Sequence, residues 1–119
     1  MSVQVFDQMI GATIESIQKT DDNLSFRCTD GRVFRFHHYQ NCCESVYIED
    51  VVGDLDDLIG TPLTVAEEVS NMDAPKPVDS YGSYTWTFYR YATNKGCVTV
   101  RWLGLSNGYY SESVDFIIL

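Results

Sequence analysis

The sequence predicts a mostly β domain of the α+β class, with two antiparallel three-strand meanders joined by a segment that holds one short helix. Apolar and polar residues alternate through the first and last thirds of the chain, which is the period of half-buried strands. Aromatic residues, which pack well on a pleated sheet, make up 13% of the chain. A length of 119 residues is typical of a single domain that can fold without a disulfide or a metal ion.

The first meander is predicted over residues 1–39. Its three strands are expected within residues 9–19, 24–29 and 32–39. The pair Asp30-Gly31 separates the last two runs and is typical of a two-residue type I′ hairpin turn. In the third run, alternation predicts that Val33, Arg35 and His37 share one face of the strand. The opposite face then carries Phe34, Phe36 and His38.

The connecting segment is predicted over residues 40–72 and begins with a loop followed by a strand at residues 45–50. From Val51 the apolar period changes to that of a helix. One face of this helix is formed by Val52, Leu55, Leu58 and Ile59. Gly60 then supplies a helix stop. Residues 63–70 are predicted to form a strand because they follow a proline and contain Thr and Val.

The second meander is predicted over residues 84–119, with strands at 84–92, 97–105 and 109–119. A turn at 93–96 and the Asn107-Gly108 pair separate these runs. Cys28 and Cys97 lie inside alternating runs and are predicted to be small buried hydrophobic residues.

The negative charge is concentrated in the middle of the chain. Residues 44–79 hold ten acids and one base, whereas the rest of the chain has seven of each. This segment is interpreted as a solvated face, as a docking surface for a basic partner or as a mimic of nucleic acid. Direct binding to DNA or RNA is not expected, because it requires a basic surface. The chain has no apparent signal peptide or apolar span, so we expect a cytoplasmic protein without a membrane partner.

A compact group of potential metal ligands and nucleophiles precedes the predicted helix: His37, His38, Cys42 and Cys43. A metal site at His38, Cys42 and Cys43 is a weak alternative, because the side chains of adjacent cysteines diverge. A thiolate at Cys42 or Cys43 would need a histidine base and an orienting carboxylate from Glu44 or Asp50. The nearby carboxylates disfavour a thiolate. No cofactor is therefore expected, and catalysis is the second hypothesis.

The C-terminal strands offer a different candidate site, in which flat rings, cations and an amide occur together. The predicted ligand-binding residues are Trp86, Phe88, Arg90, Arg101, Asn107, Tyr109 and Tyr110, with Trp102 among the same strands. Such a set can stack a base and pair with a phosphate. An aromatic core with a polar outer face is the simpler interpretation of the same pattern.

Two long motifs carry a resemblance to a known family. The first is a histidine followed by Cys-Cys-Glu-x-Val and Gly-Asp-Leu-x-Asp-Leu-Ile-Gly, at residues 38–60. The second is Arg-Trp followed by Ser-Asn-Gly-Tyr-Tyr-Ser, at residues 101–111. Together with Met-Ile-Gly-x-Thr at residues 9–13, they resemble a family of small uncharacterised bacteriophage and prophage proteins.

This resemblance implies a function directed at a host cell. We expect a non-catalytic binding protein with a role in counter-defence that binds a host protein or sequesters a small nucleotide-like ligand. A homo-oligomer is also expected. The alternatives are a Cys/His-dependent enzyme or metal site at residues 37–43, and an acidic mimic of nucleic acid that binds a basic host protein.

Overall fold

The computed structural model describes residues 2–39, 44–70, 83–106 and 112–119. These residues form two antiparallel β-sheets, which confirms the prediction of a mostly β domain. The strands are β1 (Ser2–Val5), β2 (Ile14–Lys19), β3 (Asn23–Cys28), β4 (Val33–His37), β5 (Ser45–Val52), β6 (Val65–Ser70), β7 (Ser83–Thr93), β8 (Gly96–Ser106) and β9 (Asp115–Ile118). The described part of the chain contains no helix with the length and apolar character needed to cross a bilayer.

The second sheet contains the predicted N-terminal meander and has the strand order β2-β3-β4-β9. The pairing of β2 with β3 and of β3 with β4 confirms that meander. Its second turn differs from the prediction, because Arg27 pairs with Val33 and three residues lie between Cys28 and Arg32. Gly31 has a φ of 95° at the end of this longer turn, a conformation that glycine adopts without steric cost.

The first sheet has the strand order β1-β6-β7-β8-β5. Its centre is the long β7–β8 hairpin, in which Thr93 pairs with Gly96 and confirms the predicted turn at residues 93–96. Strand β6 confirms the strand predicted at residues 63–70. Strand β1 was not predicted, because four residues at the N-terminus are too few for a clear alternation.

The predicted C-terminal meander is wrong in its third strand. Strand β9 does not return to β8 but crosses to the second sheet, where Phe116 pairs with Phe36 of β4. The aromatic packing explains the crossing, because the ring of Phe116 lies 4.9 Å from the rings of both Phe6 and Phe36. Packing this partly buried ring against the core outweighs local pairing along the chain.

The predicted short helix is also largely absent. Strand β5 continues to Val52, because the β-branched residues Val51 and Val52 pair with Val100 and Thr99 of β8. Only a single 3-10 turn follows, at Leu55–Leu58. Its buried residue is Leu58, so the apolar spacing identified a residue of the core but not the backbone conformation.

An aromatic core joins the two sheets. The ring centroids of Phe26 and Tyr91 lie 4.9 Å apart, and those of Phe36 and Tyr89 lie 4.7 Å apart. Cys28 is buried, as predicted. Cys97 is exposed, contrary to the prediction, because alternation along β8 points Val98 into the core and Cys97 away from it.

Candidate functional site

Four of the predicted ligand-binding residues lie on the outer face of the first sheet. Phe88 of β7 pairs directly with Arg101 of β8, and the guanidinium of Arg101 lies 5.0 Å from the ring centroid of Trp86. Trp86 is only 8% exposed, so its ring offers little surface to a ligand. Trp102 points in the opposite direction and is fully buried between the sheets.

Both arginines on this face are already paired with carboxylates. The Nε atom of Arg101 donates a hydrogen bond of 2.9 Å to Oε1 of Glu49. Arg90 forms an ion pair of 3.0 Å with Glu67, which lies opposite it on β6. The positive charge that was predicted to pair with a phosphate on this face is therefore largely offset by carboxylates of the same sheet. The remaining predicted residues, Asn107, Tyr109 and Tyr110, lie outside the described residues.

A buried acid–base pair joins the ends of three segments. The Nε2 atom of His38 lies 2.9 Å from Oε2 of Glu44, and its Nδ1 atom lies 2.8 Å from the carbonyl oxygen of Ser113. The side chains are 3% and 0% exposed, respectively. The pair connects the segment after β4 with the residue that precedes β5 and with the segment before β9.

This geometry bears on the thiol and metal hypotheses. Both ring nitrogens of His38 already have partners, so neither is available to take a proton from a thiol. Asp50, the other proposed orienting residue, lies 3.9 Å from Arg101 instead. Cys42 and Cys43 lie outside the described residues, and within the described ranges no group of three or more His, Cys, Asp or Glu side chains can hold a metal ion.

A second carboxylate lies against the inner face of the first sheet near its end. Glu112 accepts a hydrogen bond of 2.7 Å from Thr85 and one of 2.5 Å from Ser106. Gly104 lies beneath this segment, and a Cβ atom there would be 2.4 Å from the carbonyl oxygen of Glu112. The close approach of two backbones at Gly104 therefore positions the Glu112 carboxylate.

The outer face of the second sheet carries a cavity of about 270 Å³. Its lining comes from the β2–β3 turn and from strands β3, β4 and β9: Asp22, Asn23, Arg35, His37, His38, Tyr39 and Ile117. Arg35 lies between Ser25 and Ile117 in the strand register, and His37 lies between Asn23 and Asp115. The cavity is therefore built largely on neighbouring strands, which hold side chains more rigidly than loops do.

The polar groups of this cavity are incompletely paired. The Nε atom of Arg35 donates a hydrogen bond of 3.3 Å to Oγ of Ser25, and no carboxylate of the described residues forms an ion pair with its guanidinium. The buried Nδ1 atom of His37 has no hydrogen-bond partner among the described residues. Tyr39 is 76% exposed, and its ring centroid lies 5.6 Å from that of His37.

Sequence reasoning placed Arg35 and His37 on one strand face but did not identify them as a site. The missing information is the strand register, which determines whether a carboxylate lies opposite each arginine. Arg90 faces Glu67, whereas Arg35 faces Ser25 and Ile117. A long polar side chain in the middle of an alternating strand was the only signal that the sequence alone contained.

Two larger grooves lie along the edge strand β5, with volumes of about 690 and 710 Å³. The amide of Ile48, a residue that lines both grooves, donates a hydrogen bond of 2.6 Å to the carbonyl oxygen of Asp21. Their charged side chains are Lys19, Asp21, Asp22, Glu49, Asp50 and Asp54. These grooves therefore form a negatively charged surface beside a sheet edge.

Comparison with known proteins places the chain in a family. No curated protein and no solved structure matches it. The model of one family, described as a domain of unknown function, matches residues 7–116 and thus covers all of the elements described above except β1 and the last residues of β9. The chain belongs to this family, DUF7448.

Proposed function

We propose that this chain is a phage-type, non-catalytic binding protein that sequesters a small nucleotide-like ligand of the host. The phage setting and a counter-defence role come from the resemblance of its two long motifs to phage and prophage proteins. The observation that carries the proposal is Arg35, a half-buried guanidinium that lines a cavity without a carboxylate partner among the described residues. Such a group favours an anionic ligand, because a phosphate can accept two parallel hydrogen bonds from it.

The arrangement of the other candidate groups supports binding over catalysis. His38 is enclosed and uses both ring nitrogens in hydrogen bonds, so it is poorly suited to transfer protons during a reaction. Within the cavity that His38 also lines, Arg35 and Tyr39 offer a charge and an exposed ring. A cation and a flat ring are sufficient to hold a nucleotide and supply no nucleophile.

A ligand screen tests this proposal. The protein is purified under native conditions, its absorbance is compared at 260 and 280 nm, and any bound small molecule is released and identified by mass spectrometry. Thermal unfolding is then followed with a panel of mononucleotides and cyclic nucleotides, because a ligand that binds the folded state raises the Tm. We expect at least one nucleotide to raise the Tm without being consumed. A uniformly negative panel, or turnover of a nucleotide, would contradict the proposal.

A second candidate function is the docking of a basic host protein, which includes mimicry of nucleic acid. The two acidic grooves along β5 support it, because Glu49, Asp50 and Asp54 line the first of them and Arg101 offsets only part of their negative charge. Binding of a basic partner there should weaken steeply with salt. The test is a titration with a basic host protein at two salt concentrations, using Asp50→Asn as the variant and Asp7→Asn as the control for loss of charge. Equal loss in both variants would exclude the grooves.

A further inference from the structure

We infer that the cavity on the second sheet selects ligands that carry both a phosphate and sugar hydroxyls, with the phosphate at Arg35 and the hydroxyls at Asp22. This inference rests on the proposed function and specifies the ligand class. Inorganic phosphate, neutral nucleosides and 2′-deoxynucleotides should each lack one of the groups that the cavity recognises. The chemical class is therefore a ribonucleotide that bears at least one phosphate.

The phosphate end of the cavity is defined by the orientation of Arg35. Its Nε atom is turned towards Ser25, which leaves the two terminal nitrogens as the donors that can reach a ligand. His37 follows two residues later on the same strand face and also lines the cavity, but its buried Nδ1 atom lies out of reach of a ligand there. The phosphate therefore accepts its hydrogen bonds from the terminal nitrogens of Arg35, which can donate two in parallel.

The hydroxyl end is defined by Asp22. One oxygen of this carboxylate, Oδ1, accepts a hydrogen bond of 3.2 Å from Thr20, and Asp22 also lines the cavity. An ionised carboxylate only accepts hydrogen bonds, so it repels a phosphate but binds a hydroxyl. Asp115 lies opposite His37 on β9 and adds a second negative charge near the same face. The cavity thus combines an arginine that has no ion pair among the described residues with the carboxylate of Asp22, which disfavours a bare anion and favours a sugar phosphate.

Tyr39 supplies the remaining contact. It is 76% exposed and lies at the rim, on the same side of the cavity as His37. An exposed ring can stack on any nucleobase without reading its hydrogen-bonding edge. The cavity volume of about 270 Å³ lies just below the usual range for small-molecule sites, which suits a mononucleotide whose base extends over Tyr39.

Calorimetric titration of the full chain tests the inference with four probes: AMP, 2′-deoxyAMP, adenosine and inorganic phosphate. We expect AMP to bind most tightly, with losses of about tenfold or more for adenosine and for the deoxynucleotide, because each lacks a hydrogen bond to a charged group. Asp22→Asn should remove the preference for AMP over 2′-deoxyAMP while preserving the bond from Thr20. Asp21→Asn is the matched control, because it changes the same charge in the same turn but does not line the cavity.

The outcomes separate this inference from the proposed function. Equal binding of AMP and 2′-deoxyAMP, or an unchanged preference in Asp22→Asn, would overturn the inference while leaving nucleotide sequestration intact. Binding of adenosine as tight as that of AMP would also overturn it. Failure of all nucleotides, including the broader panel of the ligand screen, would overturn both. Arg35→Lys serves as a second variant, since it keeps the positive charge but loses the planar fork and should bind AMP more weakly.

Discussion

The Nε2 atom of His38 lies 2.9 Å from Oε2 of Glu44 in the interior of the protein. Since the carbonyl of Ser113 can only accept, Nδ1 of His38 must carry a proton. The contact with Glu44 then requires one more proton, either on Nε2 or on the carboxyl group. The pair therefore functions as a hydrogen-bonded link between three segments, and its value to the protein is structural.

Replacing His38 and replacing Glu44 should have different effects on the free energy of unfolding. His38→Ala takes the imidazole away from a buried carboxyl group and should lower the free energy of unfolding by about 3–5 kcal/mol. Glu44→Gln should cost only about 0.5–1.5 kcal/mol, because its amide can donate to Nε2 of a neutral imidazole. Urea unfolding at neutral pH measures both values. A loss below about 1 kcal/mol in His38→Ala would show that the link is not important for stability.

Gly104 should be intolerant of substitution. A Cβ atom there would lie 2.4 Å from the carbonyl oxygen of Glu112 and 2.7 Å from its Cβ atom. Gly104→Ala should therefore displace this segment and cost about 1–3 kcal/mol of stability, as overpacking generally does. Thr99→Ala on the outer face of the same strand is the control and should have a smaller effect. Equal Tm values for Gly104→Ala and the unmodified protein would contradict the close backbone approach.

The stability of the protein should fall at alkaline pH. Burial, and after it the charge of Glu68, raises the pKa of Tyr89 and of Tyr91 above the ordinary value of 10.0. Above pH 10 the unfolded chain loses these protons while the folded chain keeps them. The free energy of unfolding should then fall by up to about 1.4 kcal/mol per pH unit for each tyrosine.

Tyr91→Phe tests the origin of this alkaline loss. Its hydroxyl has no hydrogen-bond partner among the described residues, so its removal should leave stability at pH 7 nearly unchanged. The slope of stability against pH above 10 should become shallower. Tyr39→Phe removes a hydroxyl from an exposed side chain and is the control. If both variants gave the slope of the unmodified protein, the buried ring of Tyr91 would not be responsible.

Arg101 should contribute modestly to stability and not to ligand binding. Its guanidinium is hydrogen-bonded to Glu49 and lies over the ring of Trp86. Arg101→Lys therefore loses the planar set of guanidinium donors and much of the stacking on the ring. We expect a loss of about 0.5–1 kcal/mol in thermal or urea unfolding, because the pair is partly exposed. A large loss of nucleotide affinity in this variant would instead favour the outer face of the first sheet as the binding site.

The sequence was sufficient to predict the elements that depend on patterns between neighbouring residues in the chain. Alternation identified β2 to β4 and the β7–β8 hairpin, and it grouped Phe34 and Phe36 on one strand face, which the structure buries. The crossing of β9 could not be predicted, because it depends on the packing of Phe116 against residues that are distant in sequence. The prediction of a short helix was wrong for a related reason, since pairing with β8 extends strand β5 through Val51 and Val52.

The cavity at Arg35 was not predicted as a site. The sequence instead proposed ligand-binding residues on β7 and β8, where the guanidinium of Arg101 lies over the ring of Trp86. What the sequence could not provide was the cross-strand neighbour of each arginine, which decides whether its charge is available. That neighbour is Glu67 for Arg90 and Ser25 for Arg35.

The most direct test of this account is calorimetric titration of AMP into three forms of the protein: the unmodified chain, Arg35→Gln and Arg27→Gln. Arg27 lies on the exposed face of β3 in the same sheet, does not line the cavity, and its loss changes the net charge equally. We predict that Arg35→Gln weakens binding by at least about tenfold, because a charged hydrogen-bond donor is lost, while Arg27→Gln binds like the unmodified chain. A folded Arg35→Gln variant with unchanged affinity, or equal losses in both variants, would contradict the proposed site.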